Sequence, residues 1–440
     1  MLTEPIKQKI EELFQSTPNY VGVGWGHKFN KEELTNEHSI LFNVPKKLPL
    51  SEIPEEEHLP STVDIDGVTY KTDVIEVGDV VPLSCPQTTL NTCYTWTWFS
   101  YQLTAGGPMY PAGNIPPGNR GVIRPMQGGI SITSANNLGK IGTLGFLAVD
   151  NAKNALVGVT NNHVAVGTAF YTNYRSVTNS NEYQDQYYQP GEGGFQGNPN
   201  YVVGEVVRYV PIVPQPLLNQ VDGALVTIDP SKITNATSYK LFGTSITTPM
   251  PFATTAEINN LNIDTTLLVS SGRSSGVKSP TSCGIRLKSI STSIPLSTFI
   301  DPNTGQLAGG YNLNGTPTGA SFTNVIQFMR TDLELNGDPS CPFPIYGGDS
   351  GSALAAQING TWKIIGLVFA GSPYWGFANR IDEVATQLNI SAWDGTTKNY
   401  FNTGSRQYIT TIGGSTDKTL TCSNNIYWQV GTTSLTNPCP

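Results

Sequence analysis

The chain has 440 residues, of which 13% are charged, and a net charge of −8. Residues 1–80 hold 7 of the 25 Lys and Arg and 15 of the 33 Asp and Glu, so the whole net charge lies in this head and the remaining 360 residues are neutral. No basic face is left to neutralise phosphates, which excludes nucleic acid as a partner, and no apolar run reaches the ~18 residues that a membrane helix needs.

Residues 3–15 set Ile6, Ile10, Leu13 and Phe14 on one face of an amphipathic helix. This start has no basic stretch followed by an apolar core, so a Sec-type signal is not expected. Strand-like runs follow at 20–26, 38–44 and 72–77, and the head reads as a small α/β module over 1–80. Residues 81–125 carry Cys85, Cys93, Trp96, Trp98 and the tract GGPMYPAGNIPPG, which can continue neither a helix nor a central strand and reads as an arm or linker. From 126 to 390 short β-type runs recur between Gly, Asn and Pro turns, the pattern of a sandwich or barrel, closed by the helical RIDEVATQLNI. Residues 391–440 read as a small β appendage. The segments 81–125 and 391–440 are candidate surfaces for a homo-oligomer or an assembly partner. No CxxC spacing occurs, so no metal is expected. Sequence order favours the pairs Cys85–Cys93, Cys283–Cys341 and Cys422–Cys439, against free thiols.

Three segments carry chemistry. His163, in ALVGVTNNHVAVG, is the sole histidine after residue 80. Ser350 lies in YGGDSGSAL, where glycines let the backbone turn tightly and aim successive N–H groups at one point. The donors would be Gly348 and Ser350. Among the aspartates between these two segments, Asp222 in VDGALVTI stands at the entry of an apolar strand, where a carboxylate is buried and oriented. The order is His–Asp–Ser, with separations of 59 and 128 residues.

Together these segments resemble the trypsin/chymotrypsin-like serine peptidases. VTNNHV resembles the family's histidine segment, VDGALV its aspartate segment and GGDSGSAL its serine segment. KIIGLVFAGSP resembles the substrate-lining strand, with Phe369, Ala370 and Gly371 pairing with extended substrate. The resemblance spans roughly 126–390. It is strongest to bacterial members, whose leading segment the head's VGVGWGHKF also resembles. It implies a mainly β fold of two six-stranded antiparallel barrels, roughly 126–235 and 240–390. It also implies a His163–Asp222–Ser350 triad acting on a peptide or protein substrate with no cofactor. The position that floors the primary pocket in the family is Pro344, followed by Ile345, so a small or apolar residue is expected at the cut. In the family's zymogens a freed N-terminus pairs with the Asp before the serine, here Asp349; cutting at Arg120 or Arg124 would supply one. A rival reading is an idle or self-processing protein of this fold in a virion or on an extracellular surface, a setting that the weak charge of the body suits. The head is open between an intramolecular chaperone, a plug of the cleft and a docking module.

Overall fold

The computed structural model describes residues 4–14, 22–30, 33–78, 80–82, 117–134, 140–165, 186–191, 198–210, 218–232, 240–280, 283–296, 320–331, 344–372 and 374–396, with isolated residues and short strand pieces elsewhere. The head consists of helix α1 (Glu4–Phe14) on a four-stranded sheet of β1 (Gly22–Asn30), β2 (Glu33–Val44), β3 (Thr62–Ile65) and β4 (Val68–Glu76) in the order β1-β2-β4-β3. Ile10, Val23, Ile40 and Phe42 form its core, with Ile6 and Phe14 against them. The expected helix face needs one correction. Ile6, Ile10 and Phe14 repeat every four residues and point inward, whereas Leu13 lies about 100° around the helix and is 59% exposed. Lys7 is buried in its place and donates to Ser291 Oγ at 2.9 Å, across the junction with the body.

Two short strands follow the head, β5 (Val81–Pro82) and β6 (Cys85–Pro86). The first large sheet gathers β7 (Ile130–Ser134), β8 (Lys140–Leu144), β9 (Phe146–Asp150), β10 (Ala155–Thr160), β11 (Gln186–Tyr188) and β12 (Val202–Tyr209). After helix turn α2 (Asn162–Ala165) and the short β13 (Leu218–Asn219), strand β14 (Ala224–Thr227) completes it, in the order β9-β10-β14-β12-β11-β7-β8-β6. Gly145 N–H donates to Val159 O at 2.8 Å and ties the β8–β9 corner to β10, so the sheet curls on itself. Strands β8 and β9 are separated by Gly145 alone and act as one bent strand, which leaves six around the curl.

The second sheet contains β15 (Leu267–Gly272), β16 (Gly276–Lys278), β17 (Ile285–Leu296), β18 (Ala320–Arg330), β19 (Ala353–Ile358), β20 (Thr361–Gly371) and β21 (Trp375–Arg380). Its order is β18-β17-β15-β19-β20-β21, and β18 pairs again with β21, so six strands close into a barrel. Full closure removes exposed strand edges. The molecule is therefore mainly β, with a double antiparallel barrel behind a small α/β module. Its main apolar cluster joins both barrels, from Val157, Val159 and Leu225 to Leu354, Leu367 and Ala378.

Helix α3 (Ile381–Leu388) leaves the second barrel, and β22 (Ile390–Ala392) returns to the first, pairing with β9. Arg208 anchors this return. It donates to Leu388 O at 2.7 Å and to Asp150 Oδ2 at 2.5 Å, both in buried surroundings. Beyond it, Thr419–Cys422 pairs with Asn425–Trp428. Cys283 is disulfide-bonded, and the side chains of the other five cysteines lie outside the described residues, as does most of the 81–125 arm.

The head docks on the second barrel through a face that only glycine allows. Side chains alternate along a strand, so Val23 and Trp25 face the head's own core while Gly22, Gly24 and Gly26 face β17. A Cβ on Gly22 would fall inside the Ser293 carbonyl, and one on Gly24 or Gly26 would press on Thr292 Oγ1 or Lys288 O. Beside this contact, Lys288 Nζ donates to His27 O at 2.7 Å and lies 3.3 Å from Asp264 Oδ1, while His27 Nδ1 lies 3.3 Å from Asp264 Oδ2. Burial pulls the Lys288 ammonium down to about 8, against the pull of Asp264, and pushes the Asp264 carboxyl up.

Candidate active site

His163 follows β10 directly and sits in α2, buried between the barrels. Two amides hold this turn: Asn161 Nδ2 donates to Asp222 O at 2.6 Å and Asn162 Nδ2 to Val210 O at 2.7 Å. Asp222 stands just before β14 and is fully buried. One of its oxygens accepts the His163 backbone N–H at 3.1 Å and the other meets His163 Nδ1. Asn379 on β21 accepts the Asp222 N–H at 3.1 Å and donates to Gln220 O at 3.0 Å, which fixes the loop from both ends.

Ser350 ends the turn before β19. Its Oγ lies 2.6 Å from His163 Nε2 and 3.3 Å from Phe369 O. A carboxylate can only accept, so Nδ1 carries the imidazole proton toward Asp222. Nε2 is then free to accept the serine proton, its shorter partner. The three sequence-predicted residues thus form one buried hydrogen-bonded chain, Asp222–His163–Ser350, assembled from both barrels. An imidazole in this position can take a hydroxyl proton and keep its positive charge beside a carboxylate.

The serine turn is bent by two left-handed glycines, Gly348 at φ 97° and Gly351 at φ 93°. A side chain at Gly351 would collide with Thr143 O. Thr143, on β8 of the first barrel, clamps the turn: its Oγ1 donates to Gly348 O at 2.8 Å and its N–H to Ser350 O at 2.8 Å. The carbonyls that share peptide units with the Gly348 and Ser350 N–H groups are held as well: Gly347 O accepts Ser274 Oγ and Asp349 O accepts Ser352 Oγ, each at 2.5 Å.

Asp349 is buried inside the same turn. Oδ1 accepts the N–H groups of Ser274 and Ser275 at 2.8 and 2.9 Å, and Oδ2 accepts that of Tyr346 at 2.9 Å. Burial pushes this carboxyl up, and the backbone donors pull it down. In the uncut chain, peptide N–H groups of the chain itself hold the Asp349 carboxylate.

Pro344 and Ile345 are buried below the serine turn. A Cβ on Gly371 would press on the Ile345 side chain, so Ile345 lies directly behind the edge formed by Phe369, Ala370 and Gly371. Thr143, Asn161, Asn162, Ser274, Ser275 and Asn379 were not singled out by sequence. Asn161 and Asn162 carry a readable signal, two amides immediately before the histidine; the others come from distant segments with no local mark.

No protein-family model matches the chain, and no curated protein matches it. Among solved structures, the chain is similar to a glutamic-acid-specific serine protease, at 12% identity over 61% of this chain and 100% of that one, with a TM-score of 0.35. It is similar to an alpha-lytic protease homolog, N4, at 10% identity over 60% and 98%, with a TM-score of 0.33. It is also similar to a chymotrypsin of Cellulomonas bogoriensis, at 12% identity over 61% and 98%, with a TM-score of 0.33.

Proposed function

We propose that the chain is a serine endopeptidase. The observation that carries this reading is the continuous contact Asp222–His163–Ser350, with the His163 Nε2 to Ser350 Oγ distance at 2.6 Å. Ser350 Oγ attacks the carbonyl carbon of a peptide bond, and His163 takes its proton and delivers it to the leaving amine. Asp222 keeps Nδ1 protonated and steadies the imidazolium. The Gly348 and Ser350 N–H groups receive the negative oxygen that develops, the term that usually contributes most to such catalysis. Water then resolves the acyl-enzyme by the same path in reverse, with no cofactor and no metal.

An extended substrate pairs with Phe369–Gly371 as an added strand. The residue at the cut is small or apolar, because Pro344 and Ile345 offer no carboxylate to a cation. Lys278 Nζ, 5.2 Å from the ring centroid of Tyr346, adds a positive charge nearby. Burying an unpaired charge costs several kcal/mol, so a peptide with Leu or Val at the cut is hydrolysed about 100-fold faster than one with Lys or Arg. A fluorogenic peptide series tests both claims: cleavage follows this ranking and vanishes in Ser350→Ala. Equal cleavage by the variant would refute the mechanism.

A further inference from the structure

One peptide unit of the site has no side chain at either end to fix its orientation. It joins Gly347 to Gly348, and its N–H is the Gly348 donor to the developing oxyanion. Gly348 stands at φ 97°. Rotation about the bonds that flank a peptide can reverse it, and between two glycines no Cβ resists that rotation. A trans peptide points its C=O and its N–H to opposite sides. Whatever binds Gly347 O therefore decides where the Gly348 N–H faces.

Ser274, in the turn after β15, binds that carbonyl, with Oγ 2.5 Å from Gly347 O. Behind it, Arg273 Nη1 lies 2.9 Å from Ser274 Oγ. A guanidinium only donates and a carbonyl only accepts, so the relay runs one way, from Arg273 Nη1–H to Ser274 Oγ–H to Gly347 O. The Gly348 N–H stands at its far end. Arg273 and Ser274 are each 2% exposed, and in such surroundings chained hydrogen bonds strengthen one another. A Cβ on Gly348 would lie 2.5 Å from Ser274 Oγ and 3.3 Å from Arg273 Nη1, so both side chains pack directly against this backbone. Reversing the peptide would turn the positive end of its dipole toward the guanidinium. The turn that carries the relay is itself pinned: Ser274 N–H donates to Asp349 Oδ1 at 2.8 Å and Arg273 N–H to Thr143 Oγ1 at 2.9 Å.

We propose that Ser274 is the positioning residue of the oxyanion hole, and that Arg273 acts through its hydroxyl to orient and polarise the Gly347–Gly348 peptide. This rests on the serine endopeptidase reading. Both side chains act through the peptide whose N–H meets the substrate. As the attacked carbonyl becomes tetrahedral, its oxygen gains negative charge in front of an N–H that the relay has already aligned. The benefit grows toward the transition state, which is what raises kcat.

A peptidyl trifluoromethyl ketone ending in Leu tests this on the full-length protein. Ser350 Oγ adds to its ketone carbon, giving a hemiketal whose oxygen sits in the hole, and fluorine NMR follows the ionisation of that oxygen with pH. Ser274→Ala removes the hydroxyl and keeps the backbone N–H that Asp349 accepts. Its hemiketal is expected to ionise about 2 pH units higher than that of wild type. In parallel, kcat and kcat/KM fall together by about 100-fold, the size of losing one oxyanion donor. Arg273→Met keeps the hydroxyl and moves both readings the same way by less; it decides alone if Ser274→Ala does not fold. An ionisation unmoved in either folded variant overturns the relay even where kcat falls, because a loss of folded protein lowers kcat without moving the ionisation. Wild-type Ser350 that takes a fluorophosphonate but forms no such hemiketal overturns the relay and leaves the endopeptidase reading standing. A wild type that takes neither reagent overturns both.

Discussion

Asp222 and Asp349 are both buried acids of the site, but their partners give them different tasks. Asp222 faces an imidazole that must hold one tautomer. Asp222→Asn presents an amide there and is expected to lower kcat about 10⁴-fold with little change in the melting temperature, read by steady-state kinetics beside a thermal melt. Asp349 faces three backbone N–H donors. In Asp349→Asn one acceptor becomes a donor pointed at another donor, and a buried unsatisfied group costs about 1–3 kcal/mol. That variant loses activity and stability together, seen as a drop in denaturation midpoint in parallel with hydrolysis. The sequence marked Asp222 through its apolar strand and Ser350 through its glycines. It could not mark Ser274 or Ser275, because they lie about 75 residues before the serine turn, and only the fold brings their N–H groups to Asp349 and Ser274 Oγ to Gly347 O.

Strands carry the next level of control. β8 lends Thr143 to the serine turn of the opposite barrel, and Arg273 N–H in turn donates to Thr143 Oγ1 at 2.9 Å. Thr143→Val keeps the shape and removes both side-chain hydrogen bonds, so kcat is expected to fall at least tenfold while Thr143→Ser restores it; kinetics of the pair decide. β1 shows why head docking was not legible. Its glycines alternate with Val23 and Trp25, a pattern that from sequence alone suggests a weak strand, since interior glycine costs entropy and packs nothing. The partner, β17, lies more than 250 residues away in the chain, and only the fold shows that the missing side chains make room for it. Gly24→Val is expected to undock the head without unfolding either barrel. Hydrogen exchange across 285–296 would rise in the variant; unchanged protection there would contradict the docking.

Across the whole molecule, the acidic head and the neutral barrels meet at the buried Lys288, Asp264 and His27, with Arg286 and Asp73 as further charges acting on Lys288. The sign of the resulting pH dependence follows from the lowered Lys288 value. Below about 8 the ammonium is charged in folded and unfolded chains alike, and its burial cost is carried in full. Between about 8 and the ordinary lysine value of 10.5 the folded protein has released a proton that the unfolded chain still binds, so stability from this group rises with pH. Thermal melts at pH 7.5 and 9.5 are expected to show an upward increment in wild type relative to Lys288→Met, which has no proton to release. The charge imbalance between head and body was legible from the first count. The cationic partner inside the junction was not, because one lysine in a β-rich run reads as a solvated side chain.

The central claim is that Ser350 is a nucleophile made reactive by His163 in a cleft shared by two barrels. A fluorophosphonate reacts with a serine only when its hydroxyl is activated in this way. Labelling of the wild-type chain followed by peptide mapping is expected to place the adduct on Ser350, and His163→Ala is expected to remove it while retaining the folded melt. A wild-type chain left unlabelled, or an adduct that forms as readily in His163→Ala, would contradict the account.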